Sequence, residues 1–339
     1  MNTFAAQSGN TFYAATVLPV IEELLARGIA QDALEAQFHK KLSDLRTPFM
    51  RLPLVVSRSF WAFAVEQSGD PLIGLAAGQR FVSTTRNGLT YLFDVAVSLE
   101  SACDHFARFF SRFSGHFNVQ VVRENGGVQL RLVERGALRA AVPVADFILV
   151  SLCGMLRRKL LVSGIKLDPI VGVALTSAGS DEHQRAFNSP VRGKQPNAAI
   201  HLDAQLFETL LTPKHPALEN TLVEVLEQTL RNSESTLLEQ VSDYLIDNLA
   251  TADWKQFCAT QHLLERTAAR RLKALGWGFA ELLDDYRSYR AEDLLRAGEL
   301  ELVEVSDRLG YSDVQGFNRA CLRWFGCAPG VYRTRWGRR

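Results

Sequence analysis

The stretch "DRLGYSDVQGFNRACLRWFG", residues 307–326, decides how the rest of the chain is read. An apolar helix ends at a Gly-Tyr-Ser-Asp corner, and a second helix begins at once. Its inward stripe is Phe317, Ala320, Cys321 and Trp324, spaced i, i+3, i+4 and i+7. Gln315, Asn318, Arg319 and Leu322 repeat that spacing on another face. A core helix would cover such a face with aliphatic side chains, and a merely solvated one would favour Glu and Lys. Upstream, "ELELVEVSDRL" (299–309) reads as a helix with Leu302, Val305 and Leu309 inward. Gly310 supplies the tight corner, Tyr311 packs beneath it, and Ser312 is placed to cap the next helix. Gly326 ends that helix and Pro329 prevents its resumption.

Two helices joined by a short Gly-containing turn form a helix-turn-helix. In that motif the N-terminal half of the second helix reaches base edges in the major groove. Gln and Asn can bond adenine, and Arg guanine, so the outward residues are of the types a reading face needs. The competing reading pairs Ser312 with Gln315 in a capping box and leaves the other side chains solvated. An internal echo favours the first. "DWKQFCATQHLLERTAARRLKALG" (253–276) has the same rhythm: a short helix carrying Phe257 and Cys258, a break, then a helix bearing Arg266, Ala269, Arg270, Arg271 and Lys273. Between the motifs, "FAELLDDYRSYRAEDLLRAG" (279–298) reads as one uninterrupted helix. Two motifs held by one rigid helix can enter successive major grooves, about 34 Å apart.

The rest of the chain has another character. Helical spacing recurs at Thr16–Ala26, Gln31–Phe38, 58–71, Leu99–Phe113 and 144–164. "FNVQVVRENGGVQLRLVE" (117–134) places two β-rich runs around Asn125-Gly126-Gly127, a hairpin signal. Residues 167–177 read as a strand, 181–187 as a short helix, and 197–211 as strand passing to helix. "TPKHP" (212–216) punctuates, and a helix at 217–231 carries Leu218, Leu222, Val225, Leu226 and Leu230 on one stripe. No strand signal follows residue 232. The expected architecture is an α+β domain over 1–231, then an all-α domain over 232–339 with two helix-turn-helix motifs joined by a long helix.

Composition bounds the function. The 339 residues suit two domains, and 47% hydrophobic with 22% charged content is ordinary for a soluble protein. Net charge is +1, but residues 251–339 hold 15 Lys and Arg against 12 Asp and Glu. Residues 314–339 hold six arginines (Arg319, Arg323, Arg333, Arg335, Arg338 and Arg339) and no acid, a local patch suited to phosphate or a solvated tail. Five scattered cysteines without a C-x-x-C pair indicate neither a disulfide framework nor a zinc site. The seven histidines lack metal spacing, and no P-loop, G-x-S-x-G or dinucleotide fingerprint is present. Without a signal peptide or a bilayer-length apolar run, the expected location is the cytoplasm.

"RTAARRL", "LLDDYRSYRAEDLL" and "VSDRLGYSD", followed by the F-x-R, W-F-G and P-x-x-Y-R elements of 317–333, resemble the C-terminal domain of AraC/XylS-type transcriptional regulators. "SGDPLIGLAAG" (68–78), "AFNSPVRGK" (186–194) and "IHLDAQLFETLLTPKHPALE" (200–219) are similar to the arabinose-binding-like regulatory domain of one subgroup. The resemblance spans nearly the whole chain. It implies a transcription factor, not an enzyme, with no cofactor. Duplex DNA, RNA polymerase, a second copy of the chain through residues 1–235 and a small-molecule effector are the implied partners. The groove-reading positions it implies are Arg266, Ala269 and Arg270 in the first motif, and Val314, Gln315, Asn318 and Arg319 in the second. Arg323, one turn further on, is expected to act on all sequences alike. The first motif departs from the family pattern. Leu264 stands where a capping Ser is usual, Ala268 where a core Leu is, and Ala269 where a longer reading side chain is.

Two other readings remain. One is an enzyme with a fused basic helical module, like the DNA-repair proteins that resemble this family and use a reactive cysteine. Cys258 and Cys321 lie on inward stripes, which weighs against it. The other is an interaction adaptor that no longer binds DNA, which salt-dependent duplex binding would separate from a regulator.

Overall fold

The computed structural model describes residues 10–47, 50–84, 88–124, 126–135, 139–211, 216–232 and 236–337. Asn125 of the expected hairpin turn, residues 212–215 of the expected punctuation, and Arg338 and Arg339 lie outside the described residues. The chain divides into two compact units. One comprises Phe12–Gly136 and Ala140–Glu234; the other comprises Ser235–Arg339 with the segments Met1–Thr11 and Ala137–Arg139.

The first unit is α+β. A small sheet pairs β1 (Thr11–Tyr13) with β2 (Arg51–Pro53). The main sheet holds β3 (Phe117–Glu124), β4 (Gly127–Glu134), β5 (Ile170–Ala174), β6 (Val191–Arg192) and β7 (Ala198–Leu202), in the order β3-β4-β7-β5-β6. β3 and β4 form the expected antiparallel hairpin, Phe117 opposite Glu134 and Glu124 opposite Gly127. Along β4 the side chains alternate, with Val128, Leu130 and Leu132 buried. β7 lies in the middle of the sheet, and Ala198, Ala199, Ile200 and Leu202 are all buried. The helix Leu99–Phe113 packs against β3 and buries the four phenylalanines of its stripe, Phe106, Phe109, Phe110 and Phe113. Ser98 caps it by accepting the Ser101 N–H at 3.0 Å.

Besides the single turn Leu42–Leu45, two helices of this unit escape the periodicity reading, Ile73–Thr84 and Gly88–Val95. The first is rich in small residues because it lies backbone to backbone with the helix Val142–Val162. A Cβ on Gly74 would sit 2.1 Å from the Pro143 carbonyl oxygen, and one on Gly78 would sit 2.8 Å from that of Phe147. Small residues at such a crossing leave little amphipathic contrast to detect. The helix read from Arg58 begins earlier, at Leu54, because Leu54, Val55, Val56 and Ser57 are buried all round and show no stripe. The leucine stripe of the last helix, Pro216–Asn232, is divided. Leu226 and Leu230 are buried in this unit, whereas Leu218 and Val225 are 46% and 52% exposed. Glu219 anchors the start of that helix by accepting from the Val97 N–H at 3.0 Å and from the Ser101 hydroxyl, and by pairing with His105 Nε2 at 2.8 Å.

The second unit is helical. Its helices are α1 (Leu237–Asp247), α2 (Trp254–Thr260), α3 (Glu265–Ala274), α4 (Phe279–Ala297), α5 (Leu302–Arg308), α6 (Val314–Phe325) and α7 (Pro329–Trp336). The pairs α2–α3 and α5–α6 are the two expected motifs. The 19-residue α4 joins them; at 1.5 Å per residue it is roughly 28 Å long. Pro329 does not keep the chain from resuming a helix. It starts α7 at the first helical position, where its missing N–H is no loss and its fixed φ suits the turn. Residues remote in sequence also belong to this unit. Asn10 Nδ2 donates to Asp243 Oδ1 at 2.7 Å, the Tyr286 hydroxyl donates to the Asn10 carbonyl at 3.2 Å, and the Tyr289 hydroxyl donates to the Arg139 carbonyl.

The glycine crossing of the first unit makes a direct test. Gly74→Ala forces a methyl against backbone that cannot swing away, and is expected to lower stability by about 1–3 kcal/mol. Urea denaturation of the full chain reads the loss; an unchanged midpoint would show that the two helices separate freely.

Candidate nucleic-acid interface

The corner of the second motif is set by Gly310. Its φ is +75°, and a Cβ there would lie 2.2 Å from the Ala250 carbonyl oxygen, so both handedness and space require glycine. α6 then starts one residue later than Ser312 would place it. Asp313, with extended backbone at φ −156°, is the N-cap, and its carboxylate accepts the Gly316 N–H at 2.6 Å. A full negative charge at a helix N-terminus also complements the helix dipole, which a Ser hydroxyl does only weakly. Ser312 itself is exposed. Across the corner the Ser306 hydroxyl donates to the Asp313 carbonyl at 3.1 Å.

The roll of α6 about its axis is set from α4. Asp284 Oδ1 lies 2.5 Å from Arg323 Nη2, and Oδ2 accepts the Trp324 indole N–H at 2.9 Å. Arg287 donates to the Gly310 carbonyl at 3.3 Å and stacks 5.2 Å over the Tyr311 ring. Beneath the motif Ala291, Leu294, Leu295, Val305, Leu309, Phe317, Cys321 and Tyr332 form one apolar cluster. With that stripe inward, Gln315, Arg319 and Leu322 are exposed, and Val314 and Asn318 are half-buried. The sequence reading had missed Asp284 and Arg287. The only signal was their position on an inward edge of a helix otherwise read as a spacer.

The first motif is built differently. Its corner carries His262 at φ +53° in place of glycine, and Leu263 N–H closes the turn on the Cys258 carbonyl at 2.8 Å. Leu264 occupies the N-cap of α3 with no side-chain hydrogen bond and is 78% exposed. Tyr244, Trp254, Phe257 and Phe279 pack ring on ring, with Tyr244–Phe257, Trp254–Phe257 and Trp254–Phe279 centroids 5.3, 5.5 and 5.2 Å apart. Ala268 and Leu272 face inward, 1% exposed each, and Arg266, Ala269 and Arg270 face solvent.

Charge on the outward surface is unequal in kind. Arg266, Arg270 and Arg319 make no ion pair or hydrogen bond with another described residue. Arg323 is tied to Asp284, and Arg333 donates to the Leu300 carbonyl at 2.7 Å. Cys258 and Cys321 are buried, and burial pushes the Cys321 thiol up to about 12, so both stay protonated at neutral pH. Among the described residues no cluster of His, Cys, Asp and Glu could hold a metal ion, and no helix is long and apolar enough to cross a membrane.

Two helix-turn-helix units on one long helix, each presenting unpaired arginine on its second helix, define a DNA-binding protein of the helix-turn-helix class. More narrowly, the chain belongs to the AraC transcription regulators. Residues 28–211 match the family described as the arabinose-binding domain of AraC transcription regulator, N-terminal, and residues 257–335 match a helix-turn-helix domain family. The chain is 25% identical over 335 residues to an ornithine utilization regulator of Pseudomonas aeruginosa, covering 97% of each. It is 27% identical over 158 residues to the regulator VirS of Mycobacterium tuberculosis, covering 45% of each. The crystal structure of the regulator CdpR from Pseudomonas aeruginosa aligns over 93% of this chain and 96% of that one, at 19% identity and a TM-score of 0.46. The two regulators named first are transcriptional regulators, not enzymes, and this chain is a transcriptional regulator with a helix-turn-helix DNA-binding domain.

Two tests follow from the geometry. Gly310→Ala incurs both left-handed strain and a backbone collision, and is expected to cost about 3 kcal/mol or more. Gly326→Ala, at φ +67° with nothing within 4 Å of the added methyl, is expected to cost about 1 kcal/mol from strain alone. Chemical denaturation of the two variants separates space from handedness; equal losses would mean that Ala250 yields. The second test concerns Asp285 on α4, whose carboxyl is pushed up to about 7 by burial first and then by Asp284 and Glu281. In the unfolded chain it ionises near 3.8, so between those values the folded state holds a proton that the unfolded state has lost. Stability therefore falls as pH rises through that window and levels off above it. Asp285→Asn is expected to match wild type at pH about 4 and to exceed it by on the order of 1–3 kcal/mol at pH about 8. A constant difference across the window would show that Asp285 ionises normally.

Proposed function

We propose that α3 and α6 enter successive major grooves on one side of a duplex and read promoter sequence. Residues 232–339 supply DNA binding, and residues 1–231 supply regulation and self-association. The observation that carries this reading is the set of exposed, unpaired guanidiniums of Arg266, Arg270 and Arg319, beside exposed Gln315. Guanidinium reads guanine bidentately and Gln reads adenine. α4, roughly 28 Å long, is comparable with the groove repeat of about 34 Å. Val314 and Asn318 flank the second reading site, and Ala269 offers the first only a methyl group. Arg323, already paired with Asp284, serves to hold α6 and to meet the phosphate backbone.

Bound at a promoter, the protein recruits or blocks RNA polymerase in the cytoplasm. It works as a homodimer through its N-terminal unit, and a small effector bound in that unit modulates it. Support for the dimer comes from the helix Pro216–Asn232. Leu218 and Val225 are exposed and Leu222 is half-buried, an apolar edge at i, i+4 and i+7 left over after Leu226 and Leu230 pack inward. A two-fold contact is the commonest way to cover such an edge, and it would multiply affinity for paired sites.

Selection of bound sequences from random duplex DNA, repeated with variants, tests the reading. Gln315→Ala and Arg319→Ala should each relax preference at particular positions, at about 1–3 kcal/mol for the lost base. Arg323→Ala should weaken every sequence by a similar factor. Base preference that followed Arg323 and ignored Gln315 and Arg319 would mean that α6 docks in another orientation, and binding insensitive to salt would remove the DNA-reading role. For assembly, sedimentation of the full chain at tens of micromolar should give a dimer, and the double variant Leu218→Glu, Val225→Glu a monomer. A monomeric wild type, or a dimeric double variant, would refute this interface.

A further inference from the structure

The N-terminal unit holds a partly open cavity of about 70 Å³ among five helices, the segment Phe12–Val17 and the turn at Ser114 and His116. A site for one water takes roughly 10–15 Å³ of such space, so the cavity offers room for roughly five waters or for one small ring. Its walls are aromatic. Trp61 and Phe81 each stand 5.8 Å from Phe147, ring centroid to centroid, and Phe106 stacks on Phe110 at 4.7 Å. No Asp, Glu, Asn, Gln, Lys or Arg is among the described residues that line it, and the buried His116 is its one titratable side chain among them.

The hydroxyls in the wall differ in availability. Ser151 donates to the Phe147 carbonyl at 2.6 Å, and Thr16 donates to the Tyr13 carbonyl at 2.7 Å. Ser57 is 3% exposed, and its hydroxyl makes no hydrogen bond with another described residue. A buried hydroxyl facing an apolar hollow calls for one partner.

We infer that this cavity is the effector site, and that it takes a small, uncharged aromatic molecule carrying one hydrogen-bonding group that meets Ser57. A sugar does not fit it: several hydroxyls would be stripped of water against phenylalanine rings with few groups to replace it. A charged amino acid fits no better, since no carboxylate lines the wall to meet its ammonium group, and a carboxylate would find only His116, whose charged ring is itself costly to bury among phenylalanines. The ligand class is therefore set apart from the sugar in the family's description and from the ornithine in the relative's name. The inference rests on the regulatory reading of the N-terminal unit for its consequence, but not for the binding itself.

The test uses the full chain and five probes: phenol, toluene, sodium benzoate, L-arabinose and L-ornithine. Calorimetry is expected to show phenol binding best, toluene about 3–10-fold more weakly for want of one hydrogen bond, and the other three not at all. Ser57→Ala should bring phenol down to the level of toluene and leave toluene unchanged, which general loosening of the fold would not do. Ile148→Trp, filling the cavity, should abolish binding of both. If that variant does not fold, the Ser57→Ala comparison decides alone. Arabinose, ornithine or benzoate binding as well as phenol, or phenol binding that ignores both substitutions, overturns the inference. DNA binding measured with and without saturating phenol keeps the two readings apart. Phenol bound in the cavity with no change in DNA affinity or transcription would leave the site standing and remove its role as effector site.

Discussion

Asp284 holds the outward face of α6 in place. One carboxylate on α4 receives both the Arg323 guanidinium and the Trp324 indole N–H, two neighbouring side chains near the end of α6. A single contact would let α6 turn about it; two contacts on adjacent residues, one of them a rigid bicyclic ring, set its roll. The apolar cluster under α5 and α6 supplies the depth of packing, but apolar contact is non-directional and tolerates rotation. Direction comes from the polar pair. Arg287 repeats the device at the other end of the motif, bonding the Gly310 carbonyl and lying over Tyr311. Which side chains of α6 face outward is thus decided on α4.

In the first motif the Tyr244 hydroxyl bonds Asp253 and Gln256 at the start of α2, but among the described residues no side chain of α3 is bonded in this way, and α3 lacks a side-chain cap. α3 is positioned by packing, through Ala268 and Leu272. A methyl group at Ala268 fills less space than a branched side chain, and an uncapped N-terminus leaves backbone N–H groups to water. Both effects act on the end of α3 that would meet bases. Two motifs that look alike in sequence rhythm therefore differ in physical grade: α6 is held by charge, hydrogen bonds and packing together, and α3 by packing with a free start.

Legibility in the sequence followed the same division. Both helix-turn-helix units, the joining helix and the β3–β4 hairpin could be read because their periodicity and turn residues act over a few neighbours. The inward stripe of α6 was legible for the same reason. The helix Ile73–Thr84 was not, since the signal at Gly74 and Gly78 lies in a partner almost seventy residues away. The cap of α6 was misread by one residue because Ser312 and Asp313 are both good caps, and only backbone geometry separates them. Pro329 was read as a stop when it is a start, since the same missing N–H ends one helix and costs nothing at the first position of the next.

The basic tail shows what composition alone hides. Arg319, Arg323, Arg333 and Arg335 are equivalent in a charge count, yet each has a different situation in the fold. Arg335 stacks beside Trp336 at 5.7 Å, Arg333 satisfies a carbonyl at the end of the loop before α5, and Arg323 is neutralised by Asp284. Arg319 and Arg335 keep their hydrogen-bonding capacity toward solvent among the described residues, but Arg335 has one face against a ring and Arg319 does not. On α3 the same holds for Arg266 and Arg270, in a segment whose net charge gives less hint of it. A guanidinium already bonded must break a contact to take a new one, whereas a solvated one exchanges only water. The charge free to take a new partner is therefore less than the charge that the sequence displays, and on the second helices of the motifs it includes Arg266 and Arg270 in the first two turns of α3 and Arg319 in the second turn of α6.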